Sequence, residues 1–536
     1  MKLTKRMLQF AFLLLLSISC VLSSSQPEKP FIQCLLHQSD DPTISNIIYT
    51  PKNSSYSSIL NFYIQNLRFT SPETPKPKLI LTPVHESQIQ AAIYCSKIHG
   101  LQIRIRSGGH DYEGSSYISE VPFLLLDMFN FRSISVDLES QSAWVGAGAT
   151  IGETYYAIHK KNSSFSFAAG NRPTLGIGGH ISGGGCGPLV REYGLAADNV
   201  IDARLIDVNG RILDRESMGE DLFWAIRGGM GANFGVILAY KIRLIEVPEK
   251  VIAFKVRRTL EQNATKLVHK WQFVAPKLPR RLIVLLKIDS VVSNDRSGGK
   301  TIQASFLSVF RGDADELLQV MEEYFPELGV MKEDLKEMSW IQYFAFYDDH
   351  PIEDIVQILT SRVSTSKSYL KAKSDFVQKP IPEEGIEKIW EKLFEEDPLA
   401  AQLQWTPFGG KMDEISESET PFPHRAGNSF IMFEAIFWNG TDSSLAQKHV
   451  NWIRELHDVI GQYVDKNPRG AYADYRDLDL GVNNVGETSV EQARVWGETY
   501  FKKNFDRLVY VKTRVDPDNF FKNEQSIPSR LAHFSS

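Results

Sequence analysis

The sequence predicts an α+β protein of two units, with a glycine-lined ligand site in the first. Three observations carry this. Strand-like and helical runs mix along residues 76–250 and again along 251–465, without internal repeats. Glycine clusters crowd between Gly108 and Gly235, although the 36 glycines are an ordinary number for 536 residues. The chain is 43% hydrophobic and 23% charged, ample for a large core and several domains. A net charge of −6 excludes the basic footprint of a nucleic-acid partner.

Lys2, Lys5 and Arg6 precede an apolar run from Met7 to Leu22, and Ser23–Ser25 follow. This is the pattern of a secretory signal peptide over residues 1–25. The run falls short of the ~20 residues that a spanning helix needs, and no later run qualifies, so no membrane span is expected. Of the four cysteines, Cys20 leaves with the signal peptide. We expect Cys34 and Cys95 to pair and Cys186, set among glycines, to stay free. Sequons at Asn53, Asn162, Asn263 and Asn439 support a secretory route and place those residues at the surface.

Residues 26–75 read as a helical lead-in. Leu79–Thr82 reads as a short strand, Glu86–Ile98 as a helix and Gln102–Arg106 as an alternating strand. Phe123–Asp127 reads as a buried strand, and Ser142–Val145, Val200–Val208 and Gly235–Leu244 as further strands. In 251–465, Asp315–Tyr324 and Ala446–Val464 have helical spacing. Residues 466–528 read as glycine, aromatic and charged loops.

Three segments point to chemistry. Arg104–Gly114 turns from strand into Ser107-Gly-Gly-His110, where successive N–H groups can face one anion. Gly176–Gly187 holds seven glycines in twelve residues, so backbone can approach a flat or anionic ligand closely. Arg227–Gly235 is the third cluster. None fits the dinucleotide fingerprint: Phe234 stands where the last glycine belongs. Together they favour a large phosphorylated cofactor. No spacing resembles a zinc site, so no metal is expected, and no nucleophile elbow appears.

Arg106-Ser-Gly-Gly-His-Asp-Tyr-Glu-Gly114 resembles the flavin-attachment loop of plant berberine-bridge-enzyme-like FAD-linked oxidases. The likeness continues through Gly178–Gly185, Tyr193–Asn199, Met218–Gly229, Tyr475–Gly481, Trp496–Phe501 and Asp516–Pro528. It implies a vanillyl-alcohol-oxidase (PCMH-type) FAD-binding domain over 26–250, split around a substrate domain at 251–465. An antiparallel sheet covered by helices would roof the isoalloxazine ring, and 466–536 would return to the FAD domain. The resemblance implies covalent FAD on His110. It places Ser107, Gly108, Gly109, Ser115, Leu175, Gly176, Gly179, His180, Gly184 and Val200 around the cofactor.

The chain departs from that family in places. Arg172, in Gly170-Asn-Arg-Pro-Thr174, stands where many members carry a second tethering cysteine, so attachment through His110 alone is expected. Leu175 occupies the oxygen-gating position, where leucine goes with poor oxygen reactivity. On the roof strand Asn428–Trp438 the site-facing positions read as Ile431 and Phe433, with Glu434 turned away. Proton chemistry then falls to Tyr475 and Tyr112, with Lys287 as a cationic helper. The implied reaction is hydride transfer to flavin from an aromatic or prenylated plant metabolite, with oxygen or another acceptor. A non-redox cycloaddition (Diels–Alder) with structural FAD, in which Lys287 or Arg172 polarises a carbonyl, is the alternative. Oligomeric state is not readable.

Overall fold

A computed structural model describes residues 28–39, 41–293, 299–364, 367–484, 486 and 488–531. The expected signal peptide, 1–25, lies outside the described residues.

The first sheet has the order β1-β2-β4-β3, formed by Ile48–Tyr49 (β1), Leu79–Leu81 (β2), Gln102–Arg106 (β3) and Phe123–Asp127 (β4). β2 and β3 run parallel to β4, and β1 is antiparallel to β2. β4 is buried at every position because it is central and covered on both faces. The helix Glu86–His99 carries the chain from β2 to β3 and ends at Gly100, whose φ of 65° suits a C-terminal cap. Cys34 and Cys95 form the expected disulfide, joining the helix Glu28–Gln38 to this crossover helix. Cys186 is free.

The second sheet, entirely antiparallel, has the order β5-β6-β10-β8-β9. Its strands are Ile134–Asp137 (β5), Ser142–Gly146 (β6), Val200–Ile206 (β8), Ile212–Leu213 (β9) and Val236–Arg243 (β10). A short ribbon pairs Phe165–Ser166 (β7) with Ile245–Glu246 (β11).

The third sheet is eight-stranded and antiparallel, with the path β16-β12-β15-β14-β18-β19-β17 and β13 beside β15. It comprises Val251–Ala253 (β12), Lys255–Thr259 (β13), Leu282–Val292 (β14), Lys300–Phe310 (β15), Lys336–Met338 (β16), Tyr369–Val377 (β17), Ala401–Pro407 (β18) and Phe430–Trp438 (β19). Side chains alternate across it. Phe430, Met432 and Ile436 of β19 pack with Trp271, Trp390 and Ile453 from the helices Ala264–Val274, Glu383–Glu395 and Ser443–Ile460. Phe433 faces the other way, and Glu434 lies on the helix side against His457, 3.0 Å from its Nδ1. The helices fix this register, since a slip of one residue would bury the wrong set.

The chain after 466 differs from the loop reading. It contains two helices, Val490–Phe501 and Asn504–Val515. Val490, Ala493, Trp496, Gly497 and Tyr500 are buried along one, and Phe505, Leu508 and Val509 along the other. These faces pack into the same core as Ile177, Phe223 and Tyr240, which ties the C-terminal segment to the first unit. Glycine and charge density hid a helical apolar spacing.

Arg362 fastens the two units. Its guanidinium donates to the Tyr63 hydroxyl at 2.5 Å and the Gly148 carbonyl at 2.7 Å, and it pairs with Glu153. Arg362→Ala is expected to lower unfolding free energy by about 2 kcal/mol, because it removes the buried charge-assisted hydrogen bonds to Tyr63 and Gly148, while Glu153 keeps Arg132 at 3.5 Å and the Thr150 N–H at 2.9 Å. Denaturant unfolding followed by tryptophan fluorescence checks this.

Candidate active site

The end of β3 delivers Ser107-Gly108-Gly109-His110 to the wall of a cavity of about 1040 Å³. Only glycine fits the two central places. A Cβ on Gly108 would come within 2.3 Å of Gly176 N, and one on Gly109, at φ 67°, within 2.4 Å of Tyr63 O. The Ser107 hydroxyl donates to Ala147 O at 2.6 Å and ties this loop to the second sheet. Gly176, Gly178 and Gly179 continue the same wall, and a Cβ on Gly179 would meet nothing within 4 Å. Bare backbone along one side of so large a cavity fits a flat phosphorylated cofactor.

The opposite wall belongs to the third sheet. Leu285 of β14, Gln402, Gln404 and Thr406 of β18, and Phe433 and Phe437 of β19 line it. From the C-terminal segment Tyr472, Asp474, Tyr475 and Arg476 enter between the walls. Tyr112, Phe433 and Tyr475 pack as a three-ring cluster, with centroids 5.7 Å, 5.8 Å and 4.7 Å apart.

Burial sets the protonation of the site. It pushes His110 down to about 3, helped by the nearby Arg172 charge, so the imidazole is neutral. His110 Nε2 lies 3.0 Å from the Thr174 hydroxyl. Burial raises Tyr112 to about 12, against the pull of Arg172, and raises Tyr475 well above the usual phenol range. Both are therefore neutral phenols, which donate hydrogen bonds rather than accept protons at rest. His180, pushed down to about 4 by burial, accepts the Gly170 N–H on Nε2 at 3.0 Å. This hydrogen bond ties it to the Gly170 turn.

Asp474 was not singled out from the sequence. Burial pushes its carboxyl up to about 7, against hydrogen bonds from Tyr472 O–H at 2.8 Å and Gly185 N–H at 3.2 Å. The folded protein thus holds a proton that the unfolded chain has released above the ordinary carboxyl value of 3.8. The stability this supplies is full below that value and is lost as pH rises through about 7. Asp474→Asn removes the titration. Its thermal midpoint relative to the parent is expected to be more favourable at pH 8 than at pH 5, and parallel melts check this.

The structure brings Ser107, Gly108, Gly109, His110, Tyr112, Leu175, Gly176, Gly179, His180 and Tyr475 to one cavity. It corrects others. Lys287 lies outside the lining, 41% exposed, with Nζ 4.0 Å from Asp289. Leu285 of β14 lines the cavity, and Lys287, two residues on, pairs opposite the lining Gln404, but its own side chain is not part of the wall. Ser115 is buried behind the wall, and its neighbour Ser116 lines it. Gly184 sits behind Gly183 against Leu195, Phe422 and Tyr472, and Val200 is buried at the start of β8. Ile431 shares the face of Phe433 but is covered by core. Phe437 takes the second lining place on β19. The chain from Tyr347 to Ser364 closes the remaining side, and no sequence motif marked it.

A glycine-walled cavity roofed by an antiparallel sheet defines a class, the FAD-binding oxidoreductases. Residues 77–215 match the model of an FAD binding domain, and 471–528 match the model described as berberine and berberine like. Cannabidiolic acid synthase-like 1 of Cannabis sativa is 49% identical over 522 residues, 96% of this chain and 95% of its own. Monolignol oxidoreductase AtBBE-like 13 of Arabidopsis thaliana is 49% identical over 526 residues, 97% of each chain. Among solved structures, BBE-like #28 from Arabidopsis thaliana superposes with a TM-score of 0.87 at 45% identity, covering 94% of this chain and 99% of its own. Berberine bridge enzyme from Eschscholzia californica gives 0.87 at 38% identity, covering 93% and 99%. The chain belongs to the berberine-bridge-enzyme-like family and is an FAD-dependent oxidoreductase.

Proposed function

We propose that the enzyme oxidises an aromatic or prenylated small molecule by hydride transfer, with FAD tethered through His110 alone. The single observation that carries this is the Tyr112–Phe433–Tyr475 ring cluster on the same cavity as the His110 loop. Bound FAD supplies the hydride acceptor. The neutral His110 imidazole has a free lone pair, as bond formation to carbon requires. Ser107, Gly108, Gly109, Leu175, Gly176 and Gly179 would hold the cofactor, with His180 bracing the Gly170 turn. Arg172 occupies the place of a second tether. The rings of Tyr112, Tyr475 and Phe433 would hold the substrate's aromatic body, and the two phenols would hold its oxygen. Asp474, titrating near neutrality, is the wall group able to store a released proton. Relatives named for acting on a monolignol and on tetrahydroberberine lend support. Leu175 on the wall favours an acceptor other than oxygen.

A secretory route fits the Cys34–Cys95 disulfide, and no helix among the described residues is long and apolar enough to cross a membrane. Asn53, Asn263 and Asn439 are exposed and Asn162 is half-buried, so all four belong to the glycosylation reading.

Anaerobic mixing with a panel of aromatic alcohols and prenylated phenols tests the function. Bleaching of the flavin band supports it, and a flavin that never bleaches sinks it. The second reading, non-redox cycloaddition, draws on the cavity-facing Arg172 guanidinium and the neutral phenols as carbonyl polarisers. Product mass separates the two. Oxidation removes two hydrogens from one substrate, whereas cycloaddition gives the sum of two substrates.

A further inference from the structure

The Lys and Arg side chains lining the cavity are Arg172, Lys367 and Arg476. Arg476 pairs with Asp111 at 3.1 Å. Lys367 donates to the carbonyls of Asn61 and Phe62 at 2.9 and 2.7 Å. Arg172, among the described residues lining the cavity, is the one with neither a hydrogen bond nor an ion pair on its guanidinium. Its backbone is nevertheless fixed: Leu175 N–H donates to Arg172 O at 3.2 Å and Gly152 N–H to Pro173 O at 2.9 Å. A rigid turn therefore holds an exposed guanidinium at the cavity wall, with no protein partner among the described residues.

Its surroundings are specific. Burial opposes the charge, while Asp348, Tyr347, Tyr112 and Tyr475 are close enough to more than offset this. Asp348 stops short of ion-pair distance. Burial holds Tyr112 and Tyr347 at about 12 and pushes Tyr475 well above the usual phenol range, so all three are neutral O–H donors. A planar guanidinium beside several phenols matches the two oxygens of a carboxylate. A phosphate dianion would call for more than one cation. The neighbouring rings and the apolar Phe433 suit an aromatic body attached to that carboxylate.

We propose that Arg172 makes this cavity selective for substrates that carry a carboxylate, which the guanidinium binds while the aromatic body rests on Tyr112, Tyr475 and Phe433. This rests on the oxidoreductase reading above and names its substrate class.

The test is calorimetric titration of the flavin-loaded protein with para-hydroxycinnamate, its methyl ester and the matching alcohol. The acid is expected to bind about tenfold or more tightly than the ester. Arg172→Gln should erase that preference, and Arg172→Lys should keep part of it, since charge survives without the fork. Asp348→Asn should strengthen acid binding by removing a competing negative charge. Flavin absorbance per protein confirms that each variant is intact. Equal binding of acid and ester, no detectable acid binding, or a preference that survives Arg172→Gln would overturn the proposal. A protein purified without flavin would instead overturn the oxidoreductase reading, so the two failures are distinct.

Discussion

Replacing His110 with alanine is expected to leave the acid-precipitated protein colourless, with the flavin entirely in the supernatant. His110 stands at the end of a loop whose geometry leaves no other residue in its place. Gly108 and Gly109 admit no side chain, and the Thr174 hydroxyl lies 3.0 Å from Nε2. On the proposed attachment through His110 alone, no covalent link should remain. A histidyl substituent would also withdraw electrons from the ring. The variant, reloaded with FAD, should therefore show a midpoint potential lower by about 30 mV or more, a tenfold change in a two-electron equilibrium. Spectrophotometric titration with a redox dye measures this. Colour retained in the His110→Ala pellet would place the bond elsewhere.

Tyr475→Phe is expected to lower kcat roughly 10²- to 10³-fold, the range of a positioned hydrogen-bond donor at the reacting oxygen, with flavin content unchanged. Tyr112→Phe should cost less, because Tyr475 lies closer to Phe433, at 4.7 Å against 5.7 Å between centroids. Burial keeps Tyr475 protonated across the neutral range. A pH–rate limb near 7 would thus belong to Asp474, whose carboxyl is pushed up to about 7, and should vanish in Asp474→Asn while surviving in Tyr475→Phe. Steady-state rates from pH 5 to 9 separate the two residues.

Much of the cofactor half was legible because its requirements are local. Ser107-Gly-Gly-His110 needs two residues without a Cβ and a strand leading in, and both are written in consecutive letters. The face of β19 was legible in part: period-two alternation puts Phe433 and Glu434 on opposite faces, and the packing of the helices decides which one meets the site.

The misses share one cause. Lys287 has the right residue type on the right strand and pairs opposite the lining Gln404, but whether a long side chain stays on the wall is decided by its neighbours in space, here Asp289 at 4.0 Å, which no local pattern records. The two C-terminal helices were masked by glycine and charge, and only their packing with Ile177 and Phe223 gives them a partner. Asp474 looks like any loop aspartate until Tyr472 and Gly185 enclose it.

The sequence by itself determined the family and the glycine-flanked His110 loop, and it led to the expectation of the Cys34–Cys95 pairing that the structure contains. The tertiary structure alone decided which polar groups meet. It left Arg172 without a partner, kept Tyr112 and Tyr475 as neutral phenols and raised Asp474 toward neutrality. The physical reason is that backbone conformation and side-chain alternation are fixed by neighbours in the chain. Desolvation and charge pairing are instead fixed by neighbours in space, here residues as far apart as Arg172 and Tyr475.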